Sequence, residues 1–183
     1  MIEPLVRVDL SSPLGTLSLV AADGGLLAVV WPDDRAGRVR IGGARNAPDH
    51  PILRQATQQL REYFAAERRT FDVPLEPRGT EFQVKAWRAL AHIAFGETVS
   101  YAAQAKAIGH ANAVRAIGAA NGRNPLSLIL PCHRVVGSNG ALTGYAGGID
   151  AKAALLDFEQ RVLWGDCAPM PTLGRITRSI SAC

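Results

Sequence analysis

Three short runs of β-prone residues open this chain, at 5–10, 16–21 and 26–31, and the spacers between them have the composition of tight turns. Ser11-Ser12-Pro13-Leu14-Gly15 and Asp23-Gly24-Gly25 supply the proline, aspartate and glycine that reversals use. The pattern predicts a three-stranded antiparallel meander. Residues 32–50 collect Pro, Gly, Asp and Arg without apolar periodicity, which predicts a surface loop. Ile52, Leu53, Ala56, Leu60, Tyr63 and Phe64 then recur at helical spacing, and the helix they define can cover one face of the sheet.

Near Pro77-Arg78-Gly79 the composition changes, and Thr80-Glu81-Phe82-Gln83 has the form of a capping box, in which Thr80 and Gln83 satisfy each other's backbone donors. A new helix and a new domain are expected to start there. Trp87, Leu90, Ala91 and Ile93 give that helix an apolar stripe as far as Gly96, with Trp87 a core residue. Two short helical stretches follow, 101–108 behind the N-cap Ser100 and 112–121, joined through Gly109-His110-Ala111. Their lengths suit a helix-turn-helix, a form that many proteins use without touching DNA. The apolar run 127–130 stops at Pro131, so Cys132 is expected just beyond a strand or extended segment. Residues 137–148 hold five glycines and Tyr145 and read as a loop, and a last helix over 150–161 turns Ala154, Leu155 and Phe158 inward.

The fold class expected is therefore α+β: a small N-terminal antiparallel sheet with a covering helix, then a mainly helical C-terminal domain. The domains are placed at 1–76 and 77–161, with a weakly ordered tail over 162–183 that shows no sustained periodicity. A formal net charge of +4 favours a polyanionic partner without requiring one. Residues 1–10 contain no continuous apolar run of the secretory or membrane-spanning kind. The three cysteines, Cys132, Cys167 and Cys183, cannot close a disulfide framework, and a reducing, cytoplasmic setting suits them. No cysteine and no Cys/His cluster precedes residue 80, so no structural metal is expected there.

Chemistry concentrates at Pro131-Cys132-His133-Arg134. A free thiol is only a few per cent thiolate at neutral pH, and a nearby imidazole can take its proton directly or through water. Neighbours in an extended segment point to opposite faces, so contact between Cys132 and His133 requires a bridging water or a kink after Pro131. By itself the pair is also compatible with a buried structural cysteine, a metal ligand or chance adjacency.

The longer run Ile129-Leu130-Pro131-Cys132-His133-Arg134-Val135-Val136-Gly137 resembles the active-site signature of the O6-alkylguanine-DNA alkyltransferases. The similarity extends to Phe82-Gln83, Trp87, Val99-Ser100-Tyr101, Val114-Arg115-Ala116-Ile117-Gly118, Asn124-Pro125, Gly144-Tyr145-Ala146-Gly147-Gly148 and the stretch 152–159, so nearly all of 80–160 takes part. The resemblance implies a repair protein that flips O6-alkylguanine out of duplex DNA and moves the alkyl group irreversibly to its own cysteine, once. It implies Cys132 as acceptor, His133 as base through a water, Glu159 as the carboxylate orienting His133, Asn124 as hinge residue and Tyr101 as the hydroxyl stabilising the departing guanine at N3. Val135, Tyr145, Ala146 and Gly147 would form the pocket wall and lid. Arg115 would enter the base stack from the recognition helix, with Ser100 and Ala116 on the same DNA-binding surface. Ala146 departs from the serine that some members carry there, which removes a side-chain hydroxyl. The implied partner is double-stranded DNA bearing O6-alkylguanine, with O4-alkylthymine a further candidate lesion; the protein would be a monomer with no cofactor, no metal and no membrane contact.

Three other classes share parts of this constellation. A sensor of alkylated guanine would bind DNA but lack the acceptor cysteine. A cysteine hydrolase would share Cys132, His133 and Glu159 but needs water to release its adduct. A transcription regulator would use the helix-turn-helix alone.

Overall fold

The computed structural model describes residues 4–34, 37–39 and 42–173. Strands β1 (Val6–Ser12), β2 (Gly15–Ala22) and β3 (Gly25–Val30) form the antiparallel meander expected from the turn residues between them. The loop expected over 32–50 contains one further strand, β4 (Arg45–Asn46), which pairs parallel to β1 and completes the sheet order β3-β2-β1-β4. A two-residue strand of one arginine and one asparagine has no apolar alternation to read, so only the tertiary pairing defines it.

Helix α1 (Pro51–Phe64) begins with proline, whose missing N–H costs nothing in the first turn. It buries Ile52, Leu53, Ala56, Leu60, Tyr63 and Phe64 against the sheet, the same set that its spacing predicts. Helix α2 (Glu81–Leu90) starts at the capping box: the Gln83 amide donates to Thr80 Oγ1 at 3.3 Å, and the Thr80 amide to Gln83 Oε1 at 3.0 Å. Loss of such a cap costs about 1 kcal/mol. The helix stops at Leu90 rather than running to Gly96, and Ile93 and Phe95 reach the core from the turn beyond it.

Helices α3 (Tyr101–Ala107) and α4 (Val114–Asn121) form the helix-turn-helix, with the turn glycine Gly109 at φ +80°. A separate small core of Ala86, Ala105, Ile108, Ile117 and Ala120 holds α2, α3 and α4 together. A buried amide pair locks it: Asn121 Nδ2 donates to Gln104 Oε1 at 2.7 Å, and Gln104 Nε2 donates to the Ala86 carbonyl at 3.0 Å. Trp87 is buried as expected, its indole donating to the Ala120 carbonyl at 2.8 Å.

The N-terminal sheet grips the approach to Cys132. The Val29 amide donates to the Pro125 carbonyl at 2.8 Å. Arg38 donates to the carbonyls of Asn124 and Val29 while paired with Asp34. Helix α5 (Gly148–Leu163) packs its buried stripe on the main core, and the chain beyond it returns across the N-terminal unit. There the Met170 amide donates to the Phe64 carbonyl at 2.8 Å and the Leu173 amide to the Pro13 carbonyl at 2.9 Å, so this aperiodic stretch is tied down as far as 173. The rest of the tail expected to be weakly ordered lies outside the described residues.

Candidate active site

Residues 125–130 form successive turns and a bend, not the strand or extended segment expected, and Cys132–Arg134 is a single 3-10 turn. Leu128, at φ +75°, reverses the chain inside the core. A leucine in the left-handed region gives no sequence signal, because only glycine or asparagine advertises that conformation. Asn124 staples these turns: its Nδ2 donates to the Leu130 carbonyl at 2.7 Å and its Oδ1 accepts from the Leu126 amide at 3.0 Å. The kink after Pro131 removes the alternation that would have set Cys132 and His133 on opposite faces.

Cys132 is 4% exposed. Burial pushes its thiol above the ordinary range, opposed by hydrogen bonding from Asn124 and by the nearby charges of Lys152 and Arg38. The resting site therefore holds a thiol. His133 is fully buried, and burial lowers its pKa despite the hydrogen bond and charge of Glu159. The resting imidazole is neutral. Its Nε2 lies 2.9 Å from Glu159 Oε1, which assigns the ring proton to Nε2, while Nδ1 has no protein partner among the described residues. That leaves Nδ1 as the basic nitrogen.

Glu159 lies at the centre of a dense donor set. Arg134 grips it with Nη2 to Oε1 and Nε to Oε2, both at 2.9 Å, and the Gly96 amide donates to Oε2 at 2.8 Å. Tyr63 Oη, from α1, donates to Oε1 at 2.7 Å. Burial raises the carboxyl pKa, but His133 and Arg134 more than offset it and hold it down to about 2. The carboxylate is thus ionised throughout the working range.

A second group converges from the other side. Strand β5 (Val99–Ser100) pairs parallel with β6 (Val135–Val136), Val99 opposite Val135, which sets Tyr101 at the start of α3 beside the turn of Cys132. The Tyr101 hydroxyl donates to the Thr143 carbonyl at 3.2 Å, and burial raises its pKa. Lys152, at the start of the stretch 152–159, is fully buried. Its Nζ donates to the carbonyls of Val135 at 2.7 Å and Thr143 at 2.8 Å and stands 3.5 Å from Tyr101 Oη. Lys152 and Glu159 are seven residues apart on the buried stripe of α5 that also carries Leu155, Phe158 and Val162. Two charged residues at core-facing helical positions were the available signal.

Of the residues expected to form the pocket wall and lid, Tyr145 lies against His133. Tyr145 makes edge contacts with the rings of Trp31 at 5.4 Å and His133 at 6.1 Å between centroids. Gly147 sits so close to the Trp31 ring that an added Cβ would lie 2.6 to 2.8 Å from three of its carbons. Ala146 is half-buried beside them, and a cavity of about 560 Å³ opens between Trp31, Arg38, Leu173 and residues 144–148. Cys132, His133, Glu159, Tyr101, Asn124, Val135 and Tyr145 are thus brought together.

Arg115 and Ala116 stand apart on the exposed face of α4, beside the exposed Val114 and Ala119. Arg115 makes no ion pair or hydrogen bond among the described residues. Ser100 serves as N-cap of α3, its hydroxyl accepting from the Ala103 amide at 3.0 Å, so that oxygen is already committed within the protein.

Two family models match the chain: 6-O-methylguanine DNA methyltransferase, ribonuclease-like domain, over residues 8–77, and 6-O-methylguanine DNA methyltransferase, DNA binding domain, over 81–161. The methylated-DNA–protein-cysteine methyltransferase of Methanosarcina acetivorans is 46% identical over 153 residues, covering 81% of this chain and 94% of the relative. That of Mycobacterium tuberculosis is 52% identical over 151 residues, covering 82% and 90%. The crystal structure of Mycobacterium tuberculosis OGT in complex with DNA superposes with a TM-score of 0.77 at 42% identity, covering 90% of this chain and 94% of that one.

Proposed function

The chain belongs to the 6-O-methylguanine DNA methyltransferase family, and from that membership we propose that it repairs alkylated DNA by moving the alkyl group from O6 of guanine to Cys132. DNA is its partner, as the DNA complex of its Mycobacterium tuberculosis relative supports. Duplex DNA bearing O6-alkylguanine is the substrate, O4-alkylthymine a second candidate, and the protein acts as a monomer in the cytoplasm. No described helix is long and apolar enough to cross a membrane.

The observation that carries this reading is a buried thiol and a buried neutral imidazole on one 3-10 turn, with the imidazole fixed by an ionised glutamate. Nδ1 of His133 takes the thiol proton, directly or through one water, and Glu159 stabilises the imidazolium that results. The thiolate then attacks the alkyl carbon in line; a C–S bond forms as the C–O6 bond breaks, and the pair leaves with guanine. Tyr101 Oη donates to N3 of the departing base and disperses its charge. Lys152 holds the carbonyls of Val135 and Thr143, so the pocket edge and Tyr101 keep their places. Val135, Tyr145, Ala146 and Gly147 enclose the base, and Asn124 keeps the turn before Cys132 in register.

The O6 alkyl carbon is out of reach for in-line attack in an intact duplex, so the nucleotide must rotate out. Arg115 fills the gap from α4, whose small exposed residues let the helix approach the groove, with Ser100 and Ala116 at the edge of that surface. A thioether has no good leaving group, and no group in this site could expel it, so the reaction ends after one transfer. Incubation with labelled O6-benzylguanine tests the chemistry: label on Cys132 and none on Cys132→Ser is expected, whereas label on a Cys132→Ser variant would overturn it.

A further inference from the structure

Glu159 Oε1 accepts from three residues on two parts of the chain: His133 Nε2 at 2.9 Å and Arg134 Nη2 at 2.9 Å beside it, and Tyr63 Oη at 2.7 Å from the N-terminal helix α1. Tyr63 is the shortest of the three. It is also the one residue before position 80 that bonds this carboxylate among the described residues. A carboxylate oxygen has two lone pairs to share, so each donor lowers what it gives the others.

The hydroxyl is aimed by packing. Tyr63 is 1% exposed, and its ring meets Phe64, Phe71, Phe95 and Phe158 with centroids 5.4 to 6.0 Å apart. Four aromatic neighbours pack the ring in the rotamer that places its hydroxyl on Glu159. Burial, and then the charge of Glu159, push the phenol well above its ordinary range, so it stays a neutral donor at every working pH.

We propose that Tyr63 is a positioning residue for alkyl transfer, through which the N-terminal unit limits how strongly Glu159 holds the His133 imidazole. The inference rests on the reading of His133 as the base. With Tyr63 drawing charge from Oε1, the carboxylate orients the ring without binding the imidazolium so tightly that the base is protonated at rest. The groups facing the pair are Arg134 on the same turn, Cys132, Lys152 on α5, Tyr145 on the lid and Tyr63 on α1. Arg38 reaches the thiol from the N-terminal loop by charge alone. Of these, Tyr63 donates to Glu159 through a neutral hydroxyl, so this hydrogen bond can be removed by taking away one oxygen atom without changing a charge.

The test is the protonation of His133, followed by ring NMR, beside the pH profile of single-turnover benzyl transfer from free O6-benzylguanine. Tyr63→Phe keeps the ring and removes the donor, so both midpoints should move to higher pH by roughly half a unit. Site-specific 3-fluorotyrosine at position 63 strengthens the donor without removing it, and should move both midpoints lower; it serves also if Tyr63→Phe does not fold. A fall in melting temperature with unmoved midpoints in both variants would make Tyr63 a packing residue only and overturn the proposal. If the parent protein transfers no benzyl group, the reading of the site fails instead, while the His133 titration still decides the role of Tyr63.

Discussion

His133 Nε2 and Glu159 Oε1 stand 2.9 Å apart with both side chains fully out of solvent. The contact fixes the tautomer of the base, while the burial around it, which outweighs the pull of Glu159, sets the response of the site to pH. Burial lowers the histidine below its ordinary 6.5, so the neutral, proton-accepting form persists as the solution turns mildly acidic. The midpoint of the benzyl-transfer pH profile should lie below 6.5, and His133→Gln should lose on the order of 100-fold or more at neutral pH. A midpoint above 6.5 in the parent protein would mean that Glu159, not burial, governs the protonation of His133.

The same pair gives acid sensitivity to the fold. Glu159 is held at about 2 in the folded protein against an ordinary 4.5, so the folded state binds fewer protons between these values. Its stabilising contribution is complete above about pH 4.5 and is lost as pH falls through about 2. Urea midpoints measured across that interval should decline steeply in the parent and less steeply in Glu159→Gln. Equal slopes would mean that the carboxylate is not the group being titrated.

Gly147 is held against Trp31 by sterics alone. Its φ of −84° is open to any residue, but a Cβ there would lie within 2.6 Å of the indole ring. Gly147→Ala should destabilise the protein by about 1–3 kcal/mol and slow benzyl transfer by displacing the lid. Trp31→Leu in the same background should recover part of both losses. A Gly147→Ala protein as stable and as fast as the parent would show that the lid does not depend on this contact.

The legible parts of this molecule were those with a local signature. The meander followed from the turn residues between β1, β2 and β3, α2 from the Thr80 and Gln83 box, and the candidate reacting pair from Cys132 beside His133, which the fold sets on one buried turn. What escaped had no local form. Leu128 takes a conformation that its side chain disfavours, because the surrounding core over-determines it. The Gln104 and Asn121 pair and the Tyr63 contact to Glu159 join residues 17 and 96 positions apart, and only folding brings them together. Lys152 reads as a solvated helix residue until its stripe is compared with that of Glu159. The small β4 strand exists solely through pairing with β1.

Base extrusion and chemistry should separate at Arg115. It is exposed on α4, away from the buried cluster around Cys132, so it can serve the duplex without touching the reaction. Arg115→Ala should slow repair of duplex DNA by roughly 10-fold or more while leaving transfer from free O6-benzylguanine within about threefold, since only the duplex requires a flipped base. Binding to undamaged duplex should weaken steeply with salt and vary little with sequence, because α4 offers few long side chains for reading bases. Equal slowing on both substrates would assign Arg115 a structural role.

On the proposed mechanism Cys132 accepts one alkyl group and keeps it. Its thiol is buried beside a neutral base, whereas Cys167 is exposed and has no activating partner among the described residues. The most direct measurement is intact-protein mass spectrometry with peptide mapping after incubation with excess duplex DNA containing O6-methylguanine. The expected result is one added methyl group per protein, located on Cys132, with repaired guanine equal to protein in amount and no gain in Cys132→Ala. Repair of many equivalents per protein, or a methyl group on Cys167 or Cys183, would contradict it.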